Sequence, residues 1–78
     1  MPGQEYSYTV IFELNENGGY TVTVPALPGL VTEGENMDEA KMMAREAIAC
    51  YLEGLQNDGE PLPVERHIIQ ETLSVALG

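Results

Sequence analysis

The chain has 78 residues, 44% of them hydrophobic, and sets 13 acidic side chains against 3 basic ones for a formal charge of −10. This length supports one small domain, residues 1–78, which buries only about 60–65% of its unfolded surface and so favours reinforcement by self-association. The acidic excess, with no Lys or Arg before Lys41, predicts no direct nucleic-acid binding, because that binding rests on cations neutralising phosphates.

A basic protein partner suits this field better, although a negative surface also keeps a small protein soluble. The single cysteine, Cys50, leaves no intramolecular disulfide and no thiol pair for a metal. No apolar run reaches the roughly 18 residues of a membrane span. The opening Met-Pro-Gly-Gln-Glu lacks the basic and apolar regions of a signal peptide. The expected location is the cytoplasm, away from membranes.

In chain order, residues 6–14 alternate: Tyr6, Tyr8, Val10, Phe12 and Leu14 on one side, Ser7, Thr9 and Glu13 on the other, with Ile11 the one apolar residue there. This pattern predicts a half-buried strand. Asn15 to Gly19 is a turn built around Asn17-Gly18. Tyr20, Val22 and Val24 then line one face of a second strand, which Pro25 and Pro28 end by breaking the ladder. Val31-Thr32-Glu33 is a short third strand. Gly29 and Gly34 are expected at positions of positive φ.

Asn36, with Glu39 three residues on, is an N-cap signature opening a helix from Met37 to about Asn57. Met37, Ala40, Met43, Ala44, Ala47, Ile48, Tyr51, Leu52 and Leu55 form its apolar stripe, and Lys41, Arg45, Glu46, Glu53 and Gln56 its wet side. Asp58-Gly59 terminates it, and Pro61 and Pro63 prevent resumption. Residues 60–66 connect to residues 67–77, which alternate again with Leu73, Val75 and Leu77 on one side and predict a last strand. The order is β-β-β-α-β: a two-layer α+β fold, an antiparallel sheet covered by one long helix.

Chemistry is sparse. His67, the only histidine, has no ligand-spaced partner. Cys50 sits at the flank of the helix stripe, where a free thiol behaves as a small hydrophobe. Among the carboxylates that could hold Mg²⁺ for a nuclease, Asp38 and Glu39 are explained by the helix dipole, and Glu33 and Glu35 flank Gly34 without a cationic partner. No cofactor is expected, and no enzyme. Met42 falls toward the wet side of the helix, where incidental exposure is the ordinary reading and a place in an interface the alternative.

Three stretches, Tyr8–Glu13, Asn17–Pro25 and Leu27–Gly34, resemble the HicB-like antitoxin family, as do Met37–Ala40, Glu46–Ile48, Tyr51-Leu52 and Asp58–Pro61. The resemblance implies a truncated RNase H-like fold that has lost its catalytic carboxylates. It also implies an antitoxin that covers the active site of a small basic HicA-like toxin, an mRNA-cleaving protein. Many family members continue into a DNA-binding segment, whereas this sequence stops at Gly78, so direct DNA binding is not expected of it and any autorepression would need another component. Glu33, Glu35, Asp58 and Glu60 are the candidate partner contacts, Pro25, Pro28, Gly29 and Gly34 the structural loop, and Asn36 and Glu39 the helix cap. The alternative is a solitary homo-oligomer, dimer or tetramer, with a structural or regulatory role and no toxin.

Overall fold

The computed structural model describes residues 5–78. Three strands, β1 (Ile11–Leu14), β2 (Tyr20–Thr23) and β3 (Val31–Gly34), form an antiparallel sheet in the order β1-β2-β3, and one helix, α1 (Met37–Asn57), follows. The fold is α+β in two layers, sheet and helix.

β1 is shorter than the alternation of residues 6–14 predicts, and the ladder explains why. Ile11 pairs with Thr23, so one step earlier Val10 faces Val24, and Thr9 would face Pro25. Proline has no N–H to offer, and the chain has already left the sheet there: the Leu27 N–H donates to the Val24 carbonyl at 2.9 Å, closing a turn. Residues 5–10 therefore run on without a ladder. At the other end Leu14 lies 65% exposed.

The two turns that follow β2 build half of the core. Pro25 stands second in the first turn and Pro28 second in the next, where the Leu30 N–H donates to the Leu27 carbonyl at 3.2 Å. Gly29 takes φ +87, the third-position geometry of a type II turn, which L side chains adopt at a cost. This double turn drops Leu27, 0% exposed, into the interior with Val24 and Leu30, against Tyr8, Ala47, Ile48, Tyr51 and Leu52. The Tyr51 hydroxyl fastens it by donating to the Pro28 carbonyl at 3.0 Å. A second cluster joins Val22, Ala40 and Ala44 to Val10, Phe12 and Tyr20.

Gly34 is a correction. Its φ is not positive; the residue is required for closeness. A β-carbon there would lie 2.4 Å from the Ala40 nitrogen and 2.5 Å from the Ala40 α-carbon. The first turn of α1 rests directly on the end of β3, and only hydrogen fits between them.

The helix matches its predicted bounds. The Asn36 side chain accepts from the Glu39 N–H at 2.8 Å. Glu39 reaches back to the Glu35 N–H at 2.9 Å, one residue earlier than a standard capping box. At the far end the Glu60 N–H bonds the Leu55 carbonyl, the Gly59 N–H bonds the Gln56 carbonyl, and Gly59 has φ +71. That pairing is a Schellman stop.

The predicted last strand does not form within this chain. Residues 60–78 have no regular secondary structure, and every residue from Arg66 to Gly78 is exposed. A strand needs a neighbour to satisfy its N–H and C=O groups, and this segment runs away from the body. The molecule measures 56 × 27 × 21 Å. The order is thus β-β-β-α, followed by an extended tail.

Candidate functional site

The predicted contact residues divide between the two ends of the domain. Glu33 and Glu35 stand at the end of β3, exposed, and share a polar cleft of about 570 Å³ with Asn15, Asn17, Gly19, Gly34 and Glu39. The hairpin turn and the helix N-terminus converge on this cleft because Gly34 lets the helix start directly over the strand. The asparagines belong to the turn itself, where the Gly19 N–H donates to Asn15 Oδ1 at 3.0 Å. Neither asparagine was legible as part of an acidic site; their turn chemistry masked it.

Asp58 and Glu60 lie beyond the other end of α1. A helix of 21 residues is about 30 Å long at 1.5 Å per residue, so the two pairs do not form one site. The last turn of α1 carries no basic residue, and the helix dipole adds negative charge there. Both ends of the domain present acidic surfaces.

A third feature escaped the sequence reading. Between the inner face of residues 6–12 and one flank of α1 lies an open apolar cavity of about 690 Å³, with Tyr8, Val10, Phe12, Ala44, Ile48 and Leu52 among its walls and Lys41 and Arg45 also lining it. The signal was present in the alternation of Tyr6, Tyr8, Val10 and Phe12, which promised more apolar surface on that side than one helix covers.

The chain after the helix returns to this side. The Tyr8 hydroxyl donates to the Pro63 carbonyl at 2.5 Å, the Thr9 hydroxyl donates to Glu65 at 2.8 Å, and the Thr9 N–H also donates to the Glu65 carboxylate. Burial, then the neighbouring Tyr6 and Glu65, push the Tyr8 phenol above its ordinary value of 10.0. Glu65 thus supplies to the Thr9 N–H an acceptor that β2, whose chain turns out of the sheet after Val24, does not provide.

Cys50 is exposed rather than packed as a small hydrophobe at the stripe's flank. His67 is exposed in the tail. Among the described residues, no group of three or more His, Cys, Asp or Glu is placed to hold a metal ion, and no helix is long and apolar enough to cross a membrane.

A family model described as the HicB-like antitoxin of a bacterial toxin–antitoxin system matches residues 8–75. A UPF0150 protein of Thermoplasma acidophilum is 46% identical over 56 residues, spanning 72% of this chain and 81% of the relative. A UPF0150 protein of Synechocystis is 38% identical over 69 residues, 88% of this chain and 87% of the relative. Antitoxin HicB 1 of Photorhabdus laumondii is 34% identical over 70 residues, 90% of this chain but 45% of that longer protein. No solved structure matches significantly. With a family model spanning most of the sequence and a relative that bears the antitoxin name, this chain belongs to the HicB-like antitoxin family of bacterial toxin–antitoxin systems.

Proposed function

We propose that this protein neutralises a small basic HicA-like toxin, an mRNA-cleaving protein, by direct contact, and that it has no catalytic activity of its own. The work is cytoplasmic and needs neither cofactor, membrane nor direct contact with nucleic acid. The observation that carries the reading, beyond the family itself, is the acidic cleft of Glu33, Glu35 and Glu39 on a chain of net charge −10. A basic surface that evolved to hold RNA phosphates would be attracted and oriented by that field. Glu33 and Glu35 make the first contact; Asp58 and Glu60 form a separate patch too far away to join it. The sheet and helix are read as a truncated RNase H-like scaffold that carries these carboxylates without a metal.

The exposed apolar tail favours homo-oligomerisation as well, dimer or tetramer, and a protein that only self-associates is the second reading. Purified HicA-like toxin incubated with mRNA separates the two. Equimolar addition of this protein is expected to stop cleavage. Glu33→Lys with Glu35→Lys should weaken the inhibition and flatten its dependence on salt, while Asp58→Lys with Glu60→Lys changes it less. Cleavage that continues in a large excess of the unaltered protein overturns the antitoxin reading.

A further inference from the structure

The tail from His67 to Leu77 and the cavity beside β1 fit each other. In extended conformation, His67, Ile69, Glu71, Leu73, Val75 and Leu77 share one face, and Ile68, Gln70, Thr72, Ser74 and Ala76 the other. Ile69, Leu73, Val75 and Leu77 are each at least 74% exposed. Single exposed apolar residues are ordinary, but four on one face of one segment need a cover. The family match runs through residue 75, so most of this segment belongs to the domain.

The opposite requirement exists on the body. β1 is an edge strand of the sheet, and residues 5–10 continue it without a ladder. Edge backbone of this kind invites a further strand. Beneath it the cavity walls include Val10, Phe12, Ala44, Ile48 and Leu52, with Lys41 and Arg45 beside them. The one carboxylate on the tail's apolar face, Glu71, would meet those two cations. The lengths agree also: eleven tail residues and the ten residues 5–14 each extend over about 33–36 Å at 3.3 Å per residue.

We propose that residues 67–77 of one copy lie as a strand along the β1 edge of a second copy, reciprocally, giving a two-fold strand-exchanged dimer. The occupant is a second copy because this chain's own tail leaves the body after the clasp of Glu65 on Thr9 and leaves its own cavity open. A reciprocal exchange fills both cavities and both edges at once, and the closed two-fold leaves no edge of this kind for further growth. The mode is strand addition, in which main-chain hydrogen bonds supply affinity and alternate side chains supply register.

The test needs no toxin and leaves the antitoxin reading untouched. One sample of the Cys50→Ser protein is ¹⁵N-labelled; a second, unenriched, carries Cys50→Ser and Ala76→Cys with a nitroxide on the tail's outward face. The two are co-refolded in equal amounts. Amide signals of residues 8–12 and 44–52 in the ¹⁵N chain are expected to broaden, and light scattering should give twice the 8.5 kDa chain mass. A third sample carries nitroxide and ¹⁵N on the same chain, diluted into unlabelled protein; broadening seen there and not in the mixed sample means that the tail folds back on itself, and overturns the proposal. So does broadening confined to another surface, or a monomer at the concentration of the experiment. Leu73→Glu with Val75→Glu should yield a monomer whose helix content by circular dichroism is unchanged; a persistent dimer overturns the exchange.

Discussion

Substituting alanine for Gly34 should damage this fold more than alanine at Gly29, and for a different physical reason. At Gly34 the new β-carbon would sit 2.4 and 2.5 Å from the Ala40 nitrogen and α-carbon, and 2.9 Å from its β-carbon. Ordinary contact begins near 3.4 Å, so the first turn of α1 would have to move by about 1 Å, a displacement that close-packed interiors resist. Overpacking of this kind costs about 1–3 kcal/mol. The same shift breaks the Asn36–Glu39 and Glu35–Glu39 bonds of the cap, worth about 1 kcal/mol more. At Gly29 nothing lies within 4 Å of the added carbon, and the cost is the strain of φ +87 alone, about 1–2 kcal/mol. A domain of this length has about 4–12 kcal/mol of total stability, so Gly34→Ala removes a large part of it. With 1 kcal/mol equivalent to about 4–8 °C in a chain this size, its melting temperature by circular dichroism should fall by about 10 °C or more. Two further substitutions separate the mechanisms. Gly29→Asn should cost less than Gly29→Ala, because asparagine tolerates the left-handed region. Ala40→Gly should not rescue Gly34→Ala, because the nearest clashes are with backbone. A Gly34→Ala protein that melts within a couple of degrees of the parent, or is restored by Ala40→Gly, would refute the reasoning.

Other consequences are open to the same measurements. Leu27→Ala empties a fully buried position and should cost about 2–5 kcal/mol in urea unfolding, since the double turn holds its neighbours in place and limits collapse; a loss under 1 kcal/mol would show that the turn relaxes. Asn36→Ala removes the acceptor for the Glu39 N–H and should cost about 0.5–2 kcal/mol, whereas Asn36→Asp should be nearly neutral; equal losses in thermal unfolding would count against the cap. The Tyr8 phenol has its folded pKa raised, by burial first and then by Tyr6 and Glu65, so folding favours the neutral form. Its contribution is fully present below the unfolded value near 10 and is lost as pH rises through the higher folded value. Melting temperatures measured from neutral pH upward should therefore fall more steeply above pH 10 in the parent than in Tyr8→Phe, and identical slopes would reject the assignment.

Local rules decide much of this molecule, and the places where they failed share one cause. The helix from Met37 to Asn57, its Asn36 cap and its Gly59 stop follow from interactions within four or five residues of chain, and all were legible from spacing alone. The hairpin and the positive φ of Gly18 and Gly29 are equally local. The acidic character of the contact candidates was plain from composition, but their division between two ends depended on how far the helix carries the chain.

Three features required the folded molecule. Gly34 looked like a turn glycine, yet its reason is a helix that lands on its α-carbon, a contact between elements that periodicity does not encode. β1 begins at Ile11 instead of Tyr6 because its partner runs into Pro25, and register is a property of two strands. Residues 67–77 have the alternation of a strand and no ladder within the chain. Amphipathic patterning determines which face of a segment seeks burial; whether another backbone stands beside it to complete its hydrogen bonds is decided by tertiary structure, because a strand, unlike a helix, closes none of those bonds within itself.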